Sequence, residues 1–290
     1  MKARPFAYTR VSSLEAAIAA YAACEGEARY LAGGQSLLAA LNLRLDAPDL
    51  LIDIAHVDAL RGVERIGDEL RIGALTRHAE VLASPLIAEH APLLTKAAAF
   101  VAHPAIRNKG TMGGSLALAD PASEFPACML ALNARLEIVS ATGLRVVSAD
   151  DFFKDLYETA LEPGEILSAI RIPIFTAGQR FTFDELARRR GDYAIVGLAA
   201  QGAFTGERID SIRLAFFSVA ATPVRARAAE DVLRGKALDS AVIVEAQAAL
   251  DADLEPSDDV HVSGASRLHL AKVMLKRSLL ALQKQGGSLT

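Results

Sequence analysis

Two glycine-rich segments carry the residue types best suited to binding a charged ligand. Residues 32–37 read Ala-Gly-Gly-Gln-Ser-Leu, and residues 110–115 read Gly-Thr-Met-Gly-Gly-Ser. Paired glycines let backbone N–H groups approach a phosphate without an intervening Cβ, and a helix N-terminus adds partial positive charge. The hydroxyl groups of Ser36, Thr111 and Ser115 can donate hydrogen bonds to phosphate oxygens. Either segment alone could equally be a tight turn, but the two together favour one ligand with two phosphates held between them.

The standard fingerprints of phosphate-binding and hydrolytic loops are missing from both segments. Neither reads G-x-G-x-x-G, so a Rossmann dinucleotide site is poorly supported, and the sequence contains no G-x-x-x-x-G-K-[ST] loop for ATP. Ser36 does not lie in G-x-S-x-G, which excludes the nucleophile turn of α/β-hydrolases. The sequence therefore indicates phosphate binding by two loops rather than one.

Asp120 and Glu124 place two carboxylates four residues apart, soon after the second glycine segment. Such a pair can act as general acid and base, or can accept hydrogen bonds from sugar hydroxyls. Asp120 precedes Pro121, a combination typical of the N-cap and first position of a helix, so a structural role for Asp120 is also open. Glu124 has no such competing role.

Alternating strands and helices position the first glycine segment. The pattern predicts a strand at residues 6–8, a helix at 12–23, a strand at 29–32, a helix at 35–45 and a strand at 50–54. Ser12 and Glu15 form the capping-box pattern at the start of the first helix. These elements would form a small α/β unit with parallel strands.

A second unit surrounds the other glycine segment. The sequence predicts hairpins at 60–73 and 136–147, helices that begin at Thr76, Ser84 and Pro92, one helix continuing to about residue 132, and a strand at 166–172. Each glycine segment is expected to lie just before a helix.

Residues 174–179 are the best candidate linker, because the pattern changes after them to longer strands and then helices. The predicted strands are 181–186, 195–205 and 209–219, and the predicted helices are 222–234, 238–250 and 267–283. Thr222 and Pro223 are expected to start the first of these helices and Gly235 to end it. The expected domains are 1–175, with subdomains of about 1–56 and 57–175, and 178–286, and residues 285–290 are expected to fray.

Composition limits the class of protein. The 290 residues carry a net charge of −4, which gives no electrostatic reason to expect nucleic acid or an anionic membrane. Two cysteines, Cys24 and Cys128, are too few for a disulfide-rich scaffold or for the four thiolates of an iron–sulfur cluster. The six histidines lack zinc-site spacing, so no metal-binding residues are expected. With no signal-peptide core and no apolar stretch of about 18 residues, we expect a reduced, cytoplasmic protein without a transmembrane segment.

Several stretches of the chain resemble the FAD-binding medium subunits of molybdenum-containing hydroxylases. They are residues 32–37, 101–108, 111–115, 119–121, 183–194 and 222–226. The family includes the carbon monoxide dehydrogenase, quinoline oxidoreductase and nicotine dehydrogenase types, and the flavin domain of xanthine dehydrogenase. Each stretch alone is a weak signal, but their shared order is specific, and the resemblance covers essentially the whole chain.

The resemblance implies an α+β chain, in which a two-subdomain FAD-binding fold of the vanillyl-alcohol-oxidase (PCMH) type precedes a C-terminal α+β domain with an antiparallel sheet and helices. FAD would bind non-covalently, with its pyrophosphate between the glycine segments, its sugar hydroxyls at Asp120 and Glu124, and its rings near Val101, Leu167 and Tyr193. Tyr193 could instead be a plain core or rim tyrosine. The cofactor-binding residues implied are Arg29, Leu31, Ala32, Gly33, Gly34, Gln35, Ser36, Leu37, Val101, Gly110, Thr111, Gly113, Gly114, Ser115, Asp120, Glu124, Leu167 and Tyr193.

The same resemblance implies an electron-transfer role, with no catalytic residue in this chain. In such enzymes a molybdopterin centre on a large subunit hydroxylates the substrate, and two [2Fe–2S] clusters on a small subunit pass electrons to FAD, which reduces an external acceptor. A heterotrimer, commonly doubled, is implied. The alternatives are a stand-alone flavin reductase or oxidase, a flavin-free scaffolding subunit, and a generic nucleotide-binding module.

One position departs from the xanthine dehydrogenase branch, which carries a lysine where this chain has Glu185. A lysine beside the flavin would favour negative charge on the reduced ring, so NAD is less expected as the acceptor. Glutamate is common at this position in the carbon monoxide dehydrogenase type. The substrate of the complex stays open between carbon monoxide, an N-heterocycle, an aldehyde and an aroyl-CoA, and the acceptor between NAD, quinone, oxygen and a carrier protein.

Overall fold

Within the described residues, three β-sheets of three to five strands follow one another along the chain, and a fourth sheet has only two strands. A computed structural model describes residues 2–286. Met1 and residues 287–290 lie outside the described part, and with them most of the predicted tail. Among the helices of residues 2–286, none combines the length and the apolarity needed to cross a membrane.

The first sheet belongs to the small α/β unit that the sequence predicts. Its elements are β1 (Ala7–Arg10), α1 (Leu14–Ala22), β2 (Ala28–Leu31), α2 (Leu37–Leu43) and β3 (Leu50–Asp53), with parallel strands in the order β1-β3-β2. Leu31 lies opposite Asp53, so the first glycine segment leaves the carboxyl edge of this sheet. Val11 extends β1 by donating to the carbonyl of Asp53 at 3.1 Å. The cap of α1 is therefore Ser13, whose hydroxyl accepts a bond from the first turn, and the predicted cap at Ser12 is wrong by one residue.

The second sheet is antiparallel, and a group of short helices lies between its second and third strands along the chain. A 3₁₀ turn (Asp58–Leu60) precedes β4 (Val63–Ile66) and β5 (Glu69–Gly73). The helices are α3 (His78–Ala83), α4 (Pro85–His90), α5 (Pro92–Ala98), α6 (Pro104–Arg107), α7 (Met112–Leu118) and α8 (Glu124–Ala131). Then follow β6 (Arg135–Ser140), β7 (Gly143–Ser148), α9 (Ala149–Phe152), β8 (Phe153–Asp155), β9 (Glu158–Thr159) and β10 (Ile166–Pro173). The strand order β4-β5-β10-β6-β7 places both predicted hairpins beside the central β10.

The stretch predicted as one helix up to residue 132 is two helices, α7 and α8. The chain turns at Ala119, whose φ of +52° is left-handed, and Asp120 accepts a hydrogen bond from the Ala122 N–H at 2.9 Å. Pro121 has no N–H with which to continue α7. Asp120 is therefore not the cap of α8, which begins at Glu124.

Two further helix starts differ from the sequence prediction. α3 begins after Arg77 rather than at Thr76, because the Thr76 hydroxyl is buried and directed at the carbonyl of Gly62. The predicted helix start at Thr222 is replaced by a short strand, β14 (Val224–Arg225), which pairs with the end of β13 (Arg208–Phe217). The predicted C-terminal glycine, Gly235, is confirmed by its φ of +75° directly after the following helix.

The third sheet packs on both of its faces. It consists of β11 (Gln179–Ala187), β12 (Ala194–Thr205), β13 and β14, and is followed by α10 (Arg227–Leu233), α11 (Ser240–Asp253) and α12 (Gly264–Gly286). One face packs against these three helices. On the other face, Phe183, Ala199 and Phe217 are buried in the same core as Phe125 of α8. The third sheet therefore completes the core that surrounds the short helices.

An ion-pair cluster links the third sheet to the rest of the chain. Asp150 of α9 lies 3.0 Å from a guanidinium nitrogen of Arg213 and 3.4 Å from those of Arg225 and Arg227. Arg213 also donates to the carbonyl of Leu130 in α8 at 2.7 Å. These contacts join β13, β14 and α10 to α9 and to α8, the helix that begins at Glu124.

We expect Gly197→Ala to destabilise the protein. A Cβ at this position would lie 1.9 Å from Cζ of Phe217, in a strand buried on both faces. Overpacking of this kind costs about 1–3 kcal/mol of unfolding free energy, which denaturant titration measures. Phe217→Leu removes the clash, so the double variant should lose less than the sum of the two single losses. Additive losses would contradict the steric explanation.

Candidate functional site

The two glycine segments touch each other. We call residues 32–36 the first loop and residues 109–115 the second loop. A Cβ on Gly33 would lie 2.2 Å from the carbonyl oxygen of Lys109 and 3.0 Å from Cα of Gly110. Only glycine permits this approach, because any side chain at residue 33 would push the loops apart.

The first loop offers a row of backbone donors. Within residues 2–286, the N–H groups of Gly33, Gly34, Gln35 and Ser36 meet no hydrogen-bond acceptor. Gly34 has a left-handed φ of +71°, and the Ser36 hydroxyl makes no cap bond to α2, which leaves it available. The loop lies at the carboxyl edge of a parallel sheet, immediately before a helix. This arrangement fits a phosphate group.

The second loop is built differently, because its donors are already bonded. Met112 and Gly113 donate to the carbonyls of Thr76 and Ala74, both at 2.8 Å, and the Gly114 N–H donates to the Thr111 hydroxyl at 3.2 Å. The two glycines lie inside the first turn of α7 rather than before the helix as predicted. A Cβ on Gly113 would lie 2.5 Å from Cβ of Ala74. Gly113 therefore serves close packing, and its N–H is not presented to a ligand.

A neutral histidine supports the second loop. His78 is 6% exposed, its ring lies against Gly110, and it meets the ring of Phe125 edge-on at 5.1 Å. The pKa of His78 is lowered to about 4, mainly by burial and also by the charge of Arg107, while the Thr111 backbone partly opposes the shift. Neither ring nitrogen finds a hydrogen-bond partner in the described part of the chain. Sequence reasoning missed this residue because it belongs to no motif.

Arg107 shapes the turn that carries one predicted flavin contact. Its guanidinium donates to the carbonyls of Val101 and Ala102 at 2.8 and 2.9 Å and holds Ala102 at a φ of +39°. Val101 is buried in the same core as Leu167 on β10. The two residues predicted to pack near the cofactor rings therefore share one apolar core.

Two tyrosines face the carboxylates that follow the second loop. Tyr193 and Tyr157 have exposed rings, and their hydroxyl ends lie close enough to Asp120 for its charge to act on them. Partial burial and the charge of Asp120 raise the pKa of both tyrosines. The Ser115 hydroxyl lies 3.4 Å from that of Ser123, directly before Glu124. The structure thus brings Asp120, Glu124 and Tyr193 near one another and adds Tyr157, which no sequence signal marked.

Glu124 and Glu185 are the most perturbed acids near this group. The pKa of Glu124 is raised to about 7, mainly by burial and also by the charge of Asp120. The pKa of Glu185 is raised to about 8, mainly by burial and also by the charges of Glu124 and Asp184. Perturbed carboxyls of this kind are typical of functional sites.

Tyr193 also lines a cavity of about 700 Å³. Its wall includes Ala122, Asp192 and Arg267. Arg267 is fixed by the carbonyl of Ile195 at 3.0 Å and by an ion pair with Asp259. Tyr193 therefore borders this open space and also lies near the Asp120 carboxylate.

The remaining predicted residues lie around the first loop. Leu31 ends β2, Leu37 begins α2, and Gln35 donates to the carbonyl of Gly33 at 3.2 Å. Arg29 lies two residues before Leu31, with its guanidinium 3.0 Å from Asp46. Within residues 2–286, no group of three or more histidine, cysteine or acidic side chains is placed to hold a metal ion.

Comparison with known families covers nearly the whole chain. Residues 4–175 match the FAD binding domain in molybdopterin dehydrogenase, and residues 181–282 match the CO dehydrogenase flavoprotein C-terminal domain. The chain belongs to the family of FAD-binding medium subunits of molybdenum hydroxylases. The resemblance in motifs and the implied fold class are thereby confirmed.

Relatives in this family match at nearly full length. The 6-hydroxypseudooxynicotine dehydrogenase complex subunit alpha of Paenarthrobacter nicotinovorans is 36% identical over 280 residues, 96% of this chain and 95% of the relative. The carbon monoxide dehydrogenase medium chain of Hydrogenophaga pseudoflava is 35% identical over 276 residues, covering 95% and 96%. The structure of quinoline 2-oxidoreductase from Pseudomonas putida 86 matches with a TM-score of 0.94 and 40% identity over 99% of both chains. Carbon monoxide dehydrogenase from H. pseudoflava, in a form lacking the Mo-pyranopterin moiety, matches with a TM-score of 0.95, 37% identity, and 97% and 98% coverage.

We expect Gly33→Ala to weaken FAD binding by roughly tenfold or more, because the added methyl meets the Lys109 carbonyl and separates the loops. Flavin fluorescence titration of the flavin-depleted chain measures the affinity. Gly206→Ala is the control for the steric contact, since nothing lies within 4 Å of its added Cβ. Its left-handed φ of +62° adds backbone strain that Gly33→Ala does not have, so the control should still keep the wild-type affinity. Equal affinities in the wild type and Gly33→Ala would contradict the role given to this contact.

We expect His78 to account for part of the protein's acid sensitivity. Its pKa is 6.5 in ordinary surroundings and about 4 in the fold, so the unfolded chain binds the extra proton between these values. The buried neutral ring therefore contributes about 3 kcal/mol at most to the free energy of unfolding. This contribution is present above pH 6.5 and is lost as pH falls toward 4. In His78→Leu, unfolding free energy should depend less on pH across this window, whereas a variant of exposed His269 should keep the wild-type slope. Unchanged pH dependence in His78→Leu would show that His78 is not buried in the neutral form.

Proposed function

We propose that this chain is the FAD-carrying electron-transfer subunit of a heteromeric molybdenum hydroxylase or dehydrogenase. The observation that carries the proposal is the contact of the two glycine loops at Gly33, beside a row of open N–H groups, in a chain of this family. The fold, the family and the flavin domain all point to an oxidoreductase. Relatives of equal length are named as subunits or medium chains, which favours this reading over a stand-alone flavin enzyme, a scaffold or a generic nucleotide-binding module.

The residues present fit the cofactor in distinct roles. The N–H groups of the first loop and the Ser36 hydroxyl bind the pyrophosphate, while the second loop closes against it and fixes its position. Asp120 and Glu124 accept hydrogen bonds from sugar hydroxyls, and Val101 and Leu167 exclude water on the ring side. When bound, FAD supplies the redox chemistry, and these side chains supply binding, orientation and the local charge.

Electrons reach this chain from a partner. Cys128 is fully buried, and burial raises the pKa of its thiol well above the usual range, which opposes metal ligation. With Cys24 alone remaining, the chain holds no iron–sulfur cluster of its own. A small subunit with [2Fe–2S] clusters therefore donates the electrons. A large molybdopterin subunit hydroxylates the substrate and determines the substrate specificity.

Several finer features belong to the same proposal. Residues 1–175 form the flavin-binding domain, with subdomains of about 1–56 and 57–175, and residues 178–286 form the C-terminal domain. The residues implied by the resemblance hold FAD non-covalently, with Tyr193 beside the flavin rings. The assembly is a dimer of heterotrimers in the cytoplasm that passes electrons to an external acceptor.

The flavin content of the purified complex tests the proposal. We expect one FAD per copy of this chain, released intact by denaturation, with a flavin absorption spectrum that bleaches when substrate is added. A fully active complex without flavin would contradict the proposal. Turnover by this chain alone would favour the stand-alone enzyme instead.

A further inference from the structure

The cavity of about 700 Å³ beside Tyr193 lies where the third sheet meets the turn after α7. Its walls come from the β11–β12 turn, the β13–β14 turn and the α11–α12 loop, together with Pro121 and Ala122. The Ser218 N–H donates to the carbonyl of Pro121 at 2.9 Å, which fastens two of these walls to each other. The Ala122 N–H donates to the Asp120 carboxylate at 2.9 Å. The cavity therefore adjoins the turn that carries a predicted cofactor-binding residue.

One wall of the cavity is fixed by Arg267 of α12. Its guanidinium donates to the carbonyls of Ile195 and Ser257 at 3.0 and 2.9 Å and forms an ion pair with Asp259. The Asp259 carboxylate also accepts two backbone N–H groups of its own loop, at 2.7 and 2.9 Å. The two charges compensate each other, so this pair neither attracts nor repels a charged ligand strongly.

Apolar side chains make up a further part of the lining. Val219 is 1% exposed, whereas Ala122, Ala221 and Val262 are only partly buried. The ring of Tyr193, which is 74% exposed, borders the same cavity. Apolar walls with an aromatic ring favour a flat, largely apolar ligand, because both surfaces leave water when it binds.

Three consecutive arginines belong to the β11–β12 turn at this cavity. Residues 188–190 are all exposed, and among residues 2–286 none of the three forms an ion pair. The turn lies against the start of α6, since a Cβ on Gly191 would be 2.5 Å from Cε1 of His103. The turn also carries one carboxylate, Asp192, so its net charge is positive. Of the three arginines Arg188 lines the cavity, and a positive rim favours an anionic ligand.

We propose that this cavity binds the external electron acceptor, and that the acceptor is a planar ring with one anionic group held by Arg188. The inference rests on the proposed function, which requires an acceptor to approach the flavin. The guanidinium of Arg188 offers paired donors of the geometry that a carboxylate, sulfonate or phosphate accepts. The apolar walls receive the ring, and the shared wall at Pro121 and Ala122 brings it beside the cofactor site.

Electrons and protons balance in the transfer that this site serves. A quinone-type acceptor gains two electrons and two protons and leaves as the hydroquinone, while the reduced flavin loses the same number and returns to its oxidised form. The residues of this chain contribute binding and orientation. Arg188 fixes the anionic group, and the apolar walls set the position of the ring.

Equilibrium dialysis of the purified complex tests the binding site, with naphthalene sulfonate as the anionic probe and naphthalene sulfonamide as its neutral counterpart. In Arg188→Gln the affinity for the sulfonate should fall about tenfold, because a charged hydrogen bond is lost, and the affinity for the sulfonamide should not change. Ala220→Leu adds bulk to the lining and should weaken the binding of both probes. Arg277→Gln is the matched control, since Arg277 is also exposed and lies about 15 Å further along α12 than Arg267.

Equal sulfonate affinity in Arg188→Gln and the wild type, or unchanged binding in Ala220→Leu, would overturn the site, whether or not the complex holds FAD. The transfer is tested on the complex reduced with dithionite and then separated from it, by reoxidation with naphthoquinone sulfonate and with naphthoquinone. Arg188→Gln should lower the second-order rate constant about tenfold for the sulfonate alone, with unchanged flavin content. Equal effects on the two quinones would overturn the acceptor role. A complex without FAD would overturn the proposed function alone.

Discussion

The close approach of Gly33 to the carbonyl of Lys109 is the contact on which the rest of the site depends. It joins a loop from the parallel sheet to a segment held by the short helices, with 2.2 Å between a notional Cβ and the carbonyl oxygen. The open N–H groups of the first loop are useful only if the second loop closes the other side. Local backbone geometry therefore sets the distance between the two halves of the binding site.

The two loops contribute to the site in different ways. The first loop leaves its donors open, whereas the second uses its donors to fasten α7 to the end of β5. After the second loop, the site is formed by buried acids and exposed tyrosines rather than by backbone donors. The third sheet seals this region from behind, and the ion pairs of Asp150 hold the sheet there. A rigid frame thus surrounds a gap with unsatisfied donors, as expected of a preorganised cofactor site.

Much of this could be predicted from local sequence. The strands, the hairpins and the two glycine segments follow from periodicity and turn chemistry, and the motif order indicated the family. The break at Ala119 was missed because apolar spacing continues through it, and only the Asp120 turn and Pro121 reveal it. The second-loop glycines were expected to offer N–H groups, but whether a donor is already bonded depends on distant carbonyls such as those of Ala74 and Thr76. The neutral His78 and the raised pKa values of Glu124 and Glu185 arise from tertiary burial, and Tyr157 is brought near Asp120 by the fold, none of which one sequence reveals.

Residue-resolved amide hydrogen exchange, with and without FAD, tests the account most directly. In the flavin-depleted chain, the amides of Gly33, Gly34, Gln35 and Ser36 should exchange fast, and FAD should protect all four. The amides of Gly113 and Gly114 should already be protected without FAD. If FAD binds and leaves the first-loop amides unprotected, the phosphate site lies elsewhere and the account of the two loops is wrong.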